Sequence, residues 1–205
     1  AIAHARGGMV LALNQDVILT PTFIEHAVAA MQADPDIGTV SGKLLRTVGQ
    51  SGLPLIDSAG HTIALDRVPA NRGWEETDNG QYEHPEFIFG ARGAAPLYRR
   101  AMIDSILIDG EFFDDSFNAY FDDVDVDWRA QWAGWKCFYA PRAVAYHIAG
   151  TSREKRLTQM EIHETKNRYL MMLKNDSAKN FKRDLPFIAM YELSRLLYFQ
   201  ALWTA

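Results

Sequence analysis

Five consecutive apolar residues, Met9-Val10-Leu11-Ala12-Leu13, stop at the polar triplet Asn14-Gln15-Asp16. A run that short, bounded by polar residues, reads as a buried strand, and its end delivers Asn14 and Asp16 to one edge of a sheet. Thr20-Pro21 then opens a helix, with threonine capping the free amides and proline in the first turn. Phe23, Ala27, Val28 and Met31 recur at helical spacing as far as Asp34-Pro35, and Ile37 to Leu45 returns to strand. This alternation predicts an α/β fold, a mixed sheet covered by helices. With 48% hydrophobic residues among 205, the chain can build a substantial core.

From Val48 to His84 the chain is rich in Gly, Asp, Asn and Glu, with one short strand expected over His61 to Leu65. Excursions of that length in a compact domain are often functional. The small residues Gly90 to Ala95 permit close approach of backbone to another surface. Asp122 to Ala133 reads as a helix, with Val124, Trp128 and Trp132 on one stripe and Gly134 as its stop. Trp135 to Tyr139 and Ala143 to His147 read as two short strands broken by Pro141. Helices are expected from Gln159 to Lys174 and from Leu185 to Trp203, a helical C-terminal tail.

The formal charge of −5 argues against a general nucleic-acid binder, which needs a basic face. A single cysteine, Cys137, excludes an intrachain disulfide framework and thiolate clusters, and reads as a small buried residue in an apolar strand. No segment has the roughly 18 apolar residues that span a bilayer. The start does not resemble a signal peptide either. A cytoplasmic location follows as the expectation, with contact at the inner face of the membrane kept open.

Three groups of residues carry chemistry. Asn14 and Asp16 place two oxygen-bearing side chains at a strand end, where a hard divalent cation and a diphosphate would use them; a simple turn is the alternative. Asp122, Asp123, Asp125 and Asp127 put four carboxylates into six residues. Acids at a helix N-terminus gain from its dipole, yet four of them repel one another, which raises a pKa or recruits a cation. Asp127 is assigned only a capping or dipole role. A calcium loop fails here, since Trp128 and Gly134 stand where glycine and glutamate are needed. His147 ends an apolar strand, as a structural histidine or as the nitrogen ligand of a manganese or magnesium site. Trp74 reads equally as a sugar-stacking ring or a loop anchor.

Taken in order, Leu13-Asn14-Gln15-Asp16, Phe89-Gly90-Ala91-Arg92-Gly93-Ala94-Ala95-Pro96-Leu97-Tyr98-Arg99-Arg100, Phe112-Phe113-Asp114, Tyr120-Phe121-Asp122-Asp123-Val124-Asp125-Val126-Asp127-Trp128-Arg129, Gly134-Trp135-Lys136 and Tyr146-His147 resemble family-2 glycosyltransferases of the bacterial rhamnosyltransferase-like group. That resemblance implies a GT-A fold, a nucleoside diphosphate sugar such as dTDP-rhamnose, Mn2+ or Mg2+, and inverting transfer to a cell-surface polysaccharide or lipid-linked acceptor. By position, Asp123 matches the general base, and Asp122 replaces the glutamate usual beside it. Asp16 matches the acid that meets metal and diphosphate, Asn14 a hydrogen-bonding neighbour to the donor, and His147 a further metal ligand. Gly90, Gly93 and Ala94 fall in the small-residue loop near acceptor and donor sugar. The resemblance further implies that residues 1–152 are the catalytic part of a partial GT-A domain whose nucleotide-binding half precedes Ala1, with 153–205 a helical extension.

Two other functions fit the residues. One is an incomplete, non-catalytic carbohydrate- or nucleotide-binding fragment. The other is a membrane-surface interaction module built on Leu193, Leu196, Leu197, Phe199 and Trp203 beside Lys182, Arg183 and Arg195.

Overall fold

The structure is a computed structural model that describes residues 2–48, 52–148 and 157–203. Two long strands, β3 (Ile37–Val48) and β9 (Lys136–His147), pair in parallel at the centre of a mixed seven-stranded sheet. Each changes its other partner halfway along. β3 pairs first with β8 (Leu97–Arg99) and then with β4 (Pro54–Ser58), while β9 pairs first with β7 (Glu86–Ile88) and then with β2 (Val17–Leu19). β1 (Met9–Leu11) closes the edge against β8. All these outer pairings are antiparallel.

The expected break at Pro141 is not a break. Residues 136–147 form one strand, and the ladder jumps from Gly42↔Ala140 to Lys43↔Val144. Pro141 falls in the jump, where a residue without an N–H costs no ladder bond. Gly42 is required opposite, since a Cβ there would lie 2.3 Å from the Ala143 carbonyl oxygen.

Alternation along β1 and β8 sends Met9, Leu11 and Leu97 to one face and Val10 and Tyr98 to the other. On the first face lies α1 (Phe23–Ala33), burying Phe23, Ala27 and Met31 at four-residue spacing. Thr20 does not cap this helix; its hydroxyl donates to the Val144 carbonyl of β9. On the second face, α2 (Arg100–Ser105) and α3 (Asp122–Trp132) enclose Tyr98, Met102, Ile103, Phe112, Val126 and Ala130. α3 stops as expected at Gly134, whose φ is +87°. Trp132 departs from the expected stripe: it is exposed and donates its indole N–H to the Asn175 carbonyl.

The excursion after β3 holds β4 and a small hairpin, β5 (His61–Ile63) with β6 (Pro69–Asn71). Arg67 at its turn is buried, reaching Asp176 at 2.8 Å and Asp184 at 2.7 Å. Those partners belong to the tail, α4 (Leu157–Asn175), α5 (Ala178–Trp203) and the link between them. The tail is thus fastened to the hairpin by a buried ion cluster. The boundary expected at 152 lies outside the described residues.

Candidate active site

One cleft of about 810 Å³ opens where the C-terminal end of β9, the start of α3 and the hairpin meet. It brings together Asn14, Asp16, Trp74, Gly93, Ala94, Asp122, Asp123 and His147, which are widely spaced in sequence. Gly90 is placed beneath it, against α3.

The first side of the cleft is the strand end. His147, the last residue of β9, is buried, and its Nε2 lies 3.4 Å from Asp16 Oδ1. Its Nδ1 is 2.8 Å from Asp57, a fully buried carboxylate of β4. A carboxylate behind an imidazole fixes the tautomer and aims the outer nitrogen. Asp57 also lies 3.2 Å from Arg92 Nη1 and 3.8 Å from Arg46 Nε. Both guanidinium groups stand over the ring of Trp74, at 4.6 Å for Arg46 and 5.0 Å for Arg92. Trp74 therefore works at least as a platform for two cations.

The second side is the first turn of α3. Asp123 Oδ2 accepts from the Gly93 amide at 2.8 Å, and Oδ1 from the Val124 amide at 2.9 Å. Burial and the neighbouring Asp123 push the Asp122 carboxyl up to about 6. Asp125 turns away from the cleft, where Arg129, Lys174 and Asn175 all bind it. It anchors the tail.

Asp127 has more than the capping or dipole role expected of it. It is buried, one turn beyond Asp123, because Gly90 leaves room for it; a Cβ on Gly90 would lie 1.8 Å from Asp127 Oδ2. That oxygen accepts from the Ala91 amide at 3.0 Å and faces His61 Nδ1 at 3.1 Å. Burial pushes the Asp127 carboxyl up to about 7, against the opposing pull of His61. Burial works against a charged His61, but Asp123 and Asp127 outweigh it and the imidazole pKa is raised.

The loop leading into α3 is held in an uncommon conformation. Asn118, Tyr120 and Phe121 have φ of 60°, 70° and 66°, a region bulky residues rarely occupy. Buried Asn167 of α4 stabilises it by donating from Nδ2 to the carbonyls of Phe117, Ala119 and Tyr120. Strain of about 1 to 3 kcal/mol per residue persists only where the surroundings impose it, and here it borders the cleft.

His61, Asp57, Arg46, Arg92 and Asn167 were missed in the sequence. Only a helical-spacing test on the four acids, placing Asp127 four residues behind Asp123, could have flagged a buried partner. Among the described residues, no group of three His, Cys, Asp or Glu side chains is arranged to hold a metal ion. Asp16 and His147 face each other at 3.4 Å, an oxygen and a nitrogen of the kinds a manganese ion accepts.

No protein-family model matches the chain, and no curated protein matches it. A solved structure described as GalNAc-T7 with UDP, GalNAc and Mn2+ is similar, with a TM-score of 0.52 and 12% identity. The match covers 71% of this chain and 28% of that one. The chain has a GT-A-like glycosyltransferase fold.

The raised groups set a sign for stability. Asp122, Asp127 and His61 hold their protons in the folded state to higher pH than in the unfolded chain, which releases them first. Stability should therefore fall as pH rises from the ordinary aspartate value of 3.8 to about 7. Urea unfolding at about pH 5 and about pH 8 should show this loss, and Asp127→Asn should shrink it.

Proposed function

We propose that this chain is the catalytic part of an inverting glycosyltransferase that moves a sugar from a nucleoside diphosphate donor to a saccharide or lipid-linked acceptor. The observation that carries the reading is the shared cleft: Asp16, over a hundred residues before the others in sequence, pairs with His147 and borders one cavity with Asp122 and Asp123 in a GT-A-like fold. Such a cavity has the size of a small-molecule site. The binding of UDP and Mn2+ by the similar GalNAc-T7 adds support for a nucleotide donor and a divalent cation. The motif resemblance adds family 2 and a donor such as dTDP-rhamnose.

In this reading Asp16 and His147 would hold Mn2+ or Mg2+, which neutralises charge on the departing diphosphate. Asn14 hydrogen-bonds to the donor. The cations over Trp74 sit near enough to line the same cavity and attract its anionic part. Asp123, oriented by the Gly93 and Val124 amides, takes the proton of the acceptor hydroxyl as its oxygen attacks the anomeric carbon. Gly93 and Ala94 keep that approach open.

A second surface favours the membrane reading of the tail. Leu193, Leu196 and Leu197 on α5 are 58%, 64% and 57% exposed, and Lys182 and Arg183 are exposed at the start of the same helix. Arg195 instead turns to Thr165 of α4, and the side chains of Phe199 and Trp203 lie outside the described residues. No helix among the described residues is long and apolar enough to cross a membrane. A helix of this kind lies on a lipid surface.

Three outcomes test these readings. Asp123→Asn should lower sugar transfer by about 10²-fold to 10⁴-fold with little change in donor affinity, measured by single-turnover assay across UDP- and dTDP-sugars. Asp16→Ala should abolish the rise in melting temperature that Mn2+ and a nucleoside diphosphate produce together. The chain should float with anionic vesicles, and Leu193→Asp combined with Leu196→Asp and Leu197→Asp should leave it at the bottom of the gradient.

A further inference from the structure

His61 is chemically idle in the reaction as just described, yet its surroundings are built around it. It sits on β5, outside every motif of the family resemblance, and it is buried at the wall of the cleft. Its backbone N–H is fixed to the Gly90 carbonyl at 2.7 Å. Its Nδ1 faces Asp127 Oδ2 at 3.1 Å, and its Nε2 faces Asp123 Oδ2 at 3.6 Å. The second distance is an ion-pair separation rather than a hydrogen bond. The ring therefore stands between the carboxylate assigned as base and a buried carboxylate that reaches neither solvent nor cleft.

Such a placement is costly unless it serves the ring. Asp127 is admitted only because residue 90 has no side chain, and burying an acid without a cation beside it is unfavourable. A neutral imidazole can donate to only one of Asp127 and Asp123. An imidazolium satisfies both. The other charged group bearing on His61 is Arg92, which opposes its protonation and is itself engaged with Asp57.

The geometry points to His61 as a positioning residue: anchored on Asp127, its imidazolium faces Asp123 and holds that carboxylate against the Gly93 amide, ready to accept the acceptor's proton. This rests on Asp123 being the base. The Asp127–His61–Asp123 line thus does for a carboxylate base what a buried acid behind a histidine does for a histidine base.

The test has two arms. In the first, the histidine ring resonances of the chain are followed by NMR from about pH 5 to about pH 9, with His61 assigned from His61→Gln. His61 should remain imidazolium at pH 7, and Asp127→Asn and Asp123→Asn should each move its titration to lower pH. A His61 that is neutral at pH 7, or that ignores both substitutions, overturns the proposal without reference to activity. In the second arm, transfer by the enzyme is measured against pH, using whichever UDP- or dTDP-sugar it turns over. His61→Gln should lower kcat about tenfold or more near pH 6.5 with KM nearly unchanged, and the deficit should narrow near pH 9, where the native ring has itself lost its proton. A uniform loss at every pH would make His61 merely structural and defeat the proposal. An unaltered profile would defeat it too. If Asp123→Asn itself retains transfer, the assignment of the base fails first, and the NMR arm still decides the charge on His61.

Discussion

The parallel pairing of β3 with β9 determines where each functional side chain can stand. Parallel neighbours need a long connection, and almost the whole site-bearing chain from the excursion through α3 is spent between these two strands. Because each strand exchanges its outer partner at the Gly42–Pro141 irregularity, the sheet is effectively two half-sheets joined along one seam. One half carries β2 and β4 beside the end of β9, and so collects Asp16, Asp57 and His147. The other half supports Tyr98 and, through it, the packing of α2 and α3. The cleft lies where those two halves present their edges to each other.

Within α3, helical geometry divides four neighbouring acids into different jobs. Residues 122 and 123 occupy the first turn and border the cleft, 125 points to the tail, and 127 lies one turn behind 123 under Gly90. Their mutual repulsion is relieved separately: Asp125 by Arg129 and Lys174, Asp123 by backbone amides and His61, Asp127 by burial with His61. Asp122 keeps a carboxyl pushed up to about 6, since burial and Asp123 outweigh the backbone amides of its own turn. A cluster that looks uniform in sequence is thus graded in space from structural to solvent-facing.

That gradation explains which parts of the molecule were legible in the sequence. Apolar runs and helical spacing depend on local geometry, so β3, α1, α3 and α4 stand close to where periodicity put them, whereas α5 begins at Ala178, well before the expected Leu185, with Pro186 inside it. Asn14 with Asp16 and Asp122 with Asp123 were visible because paired polar side chains at element ends are a local signal. His61 and Asp57 were not, since each is a single residue in a polar stretch whose partner lies 66 or 90 positions away. Asp127 was misjudged for the same reason. Its burial depends on Gly90, and a glycine in sequence says that space is needed without saying what fills it. Pro141 misled in the opposite way, since only the register shift across from Gly42 shows that a proline fits inside β9.

The tail is best understood as part of the site rather than an appendage to it. Buried Asn167 of α4 braces the loop at Asn118, Tyr120 and Phe121, its amide nitrogen donating to the carbonyls of Phe117, Ala119 and Tyr120 with one N–H shared between two of them. That loop sets where α3 begins, and hence where Asp122 and Asp123 point. The same helices hold Asp125 through Lys174 and Asn175, and the link to α5 holds the hairpin that carries His61 through Arg67. Glu164 of α4 even reaches the wall of the cleft. Loop, acids and histidine are therefore positioned from one side by the sheet and from the other by the tail.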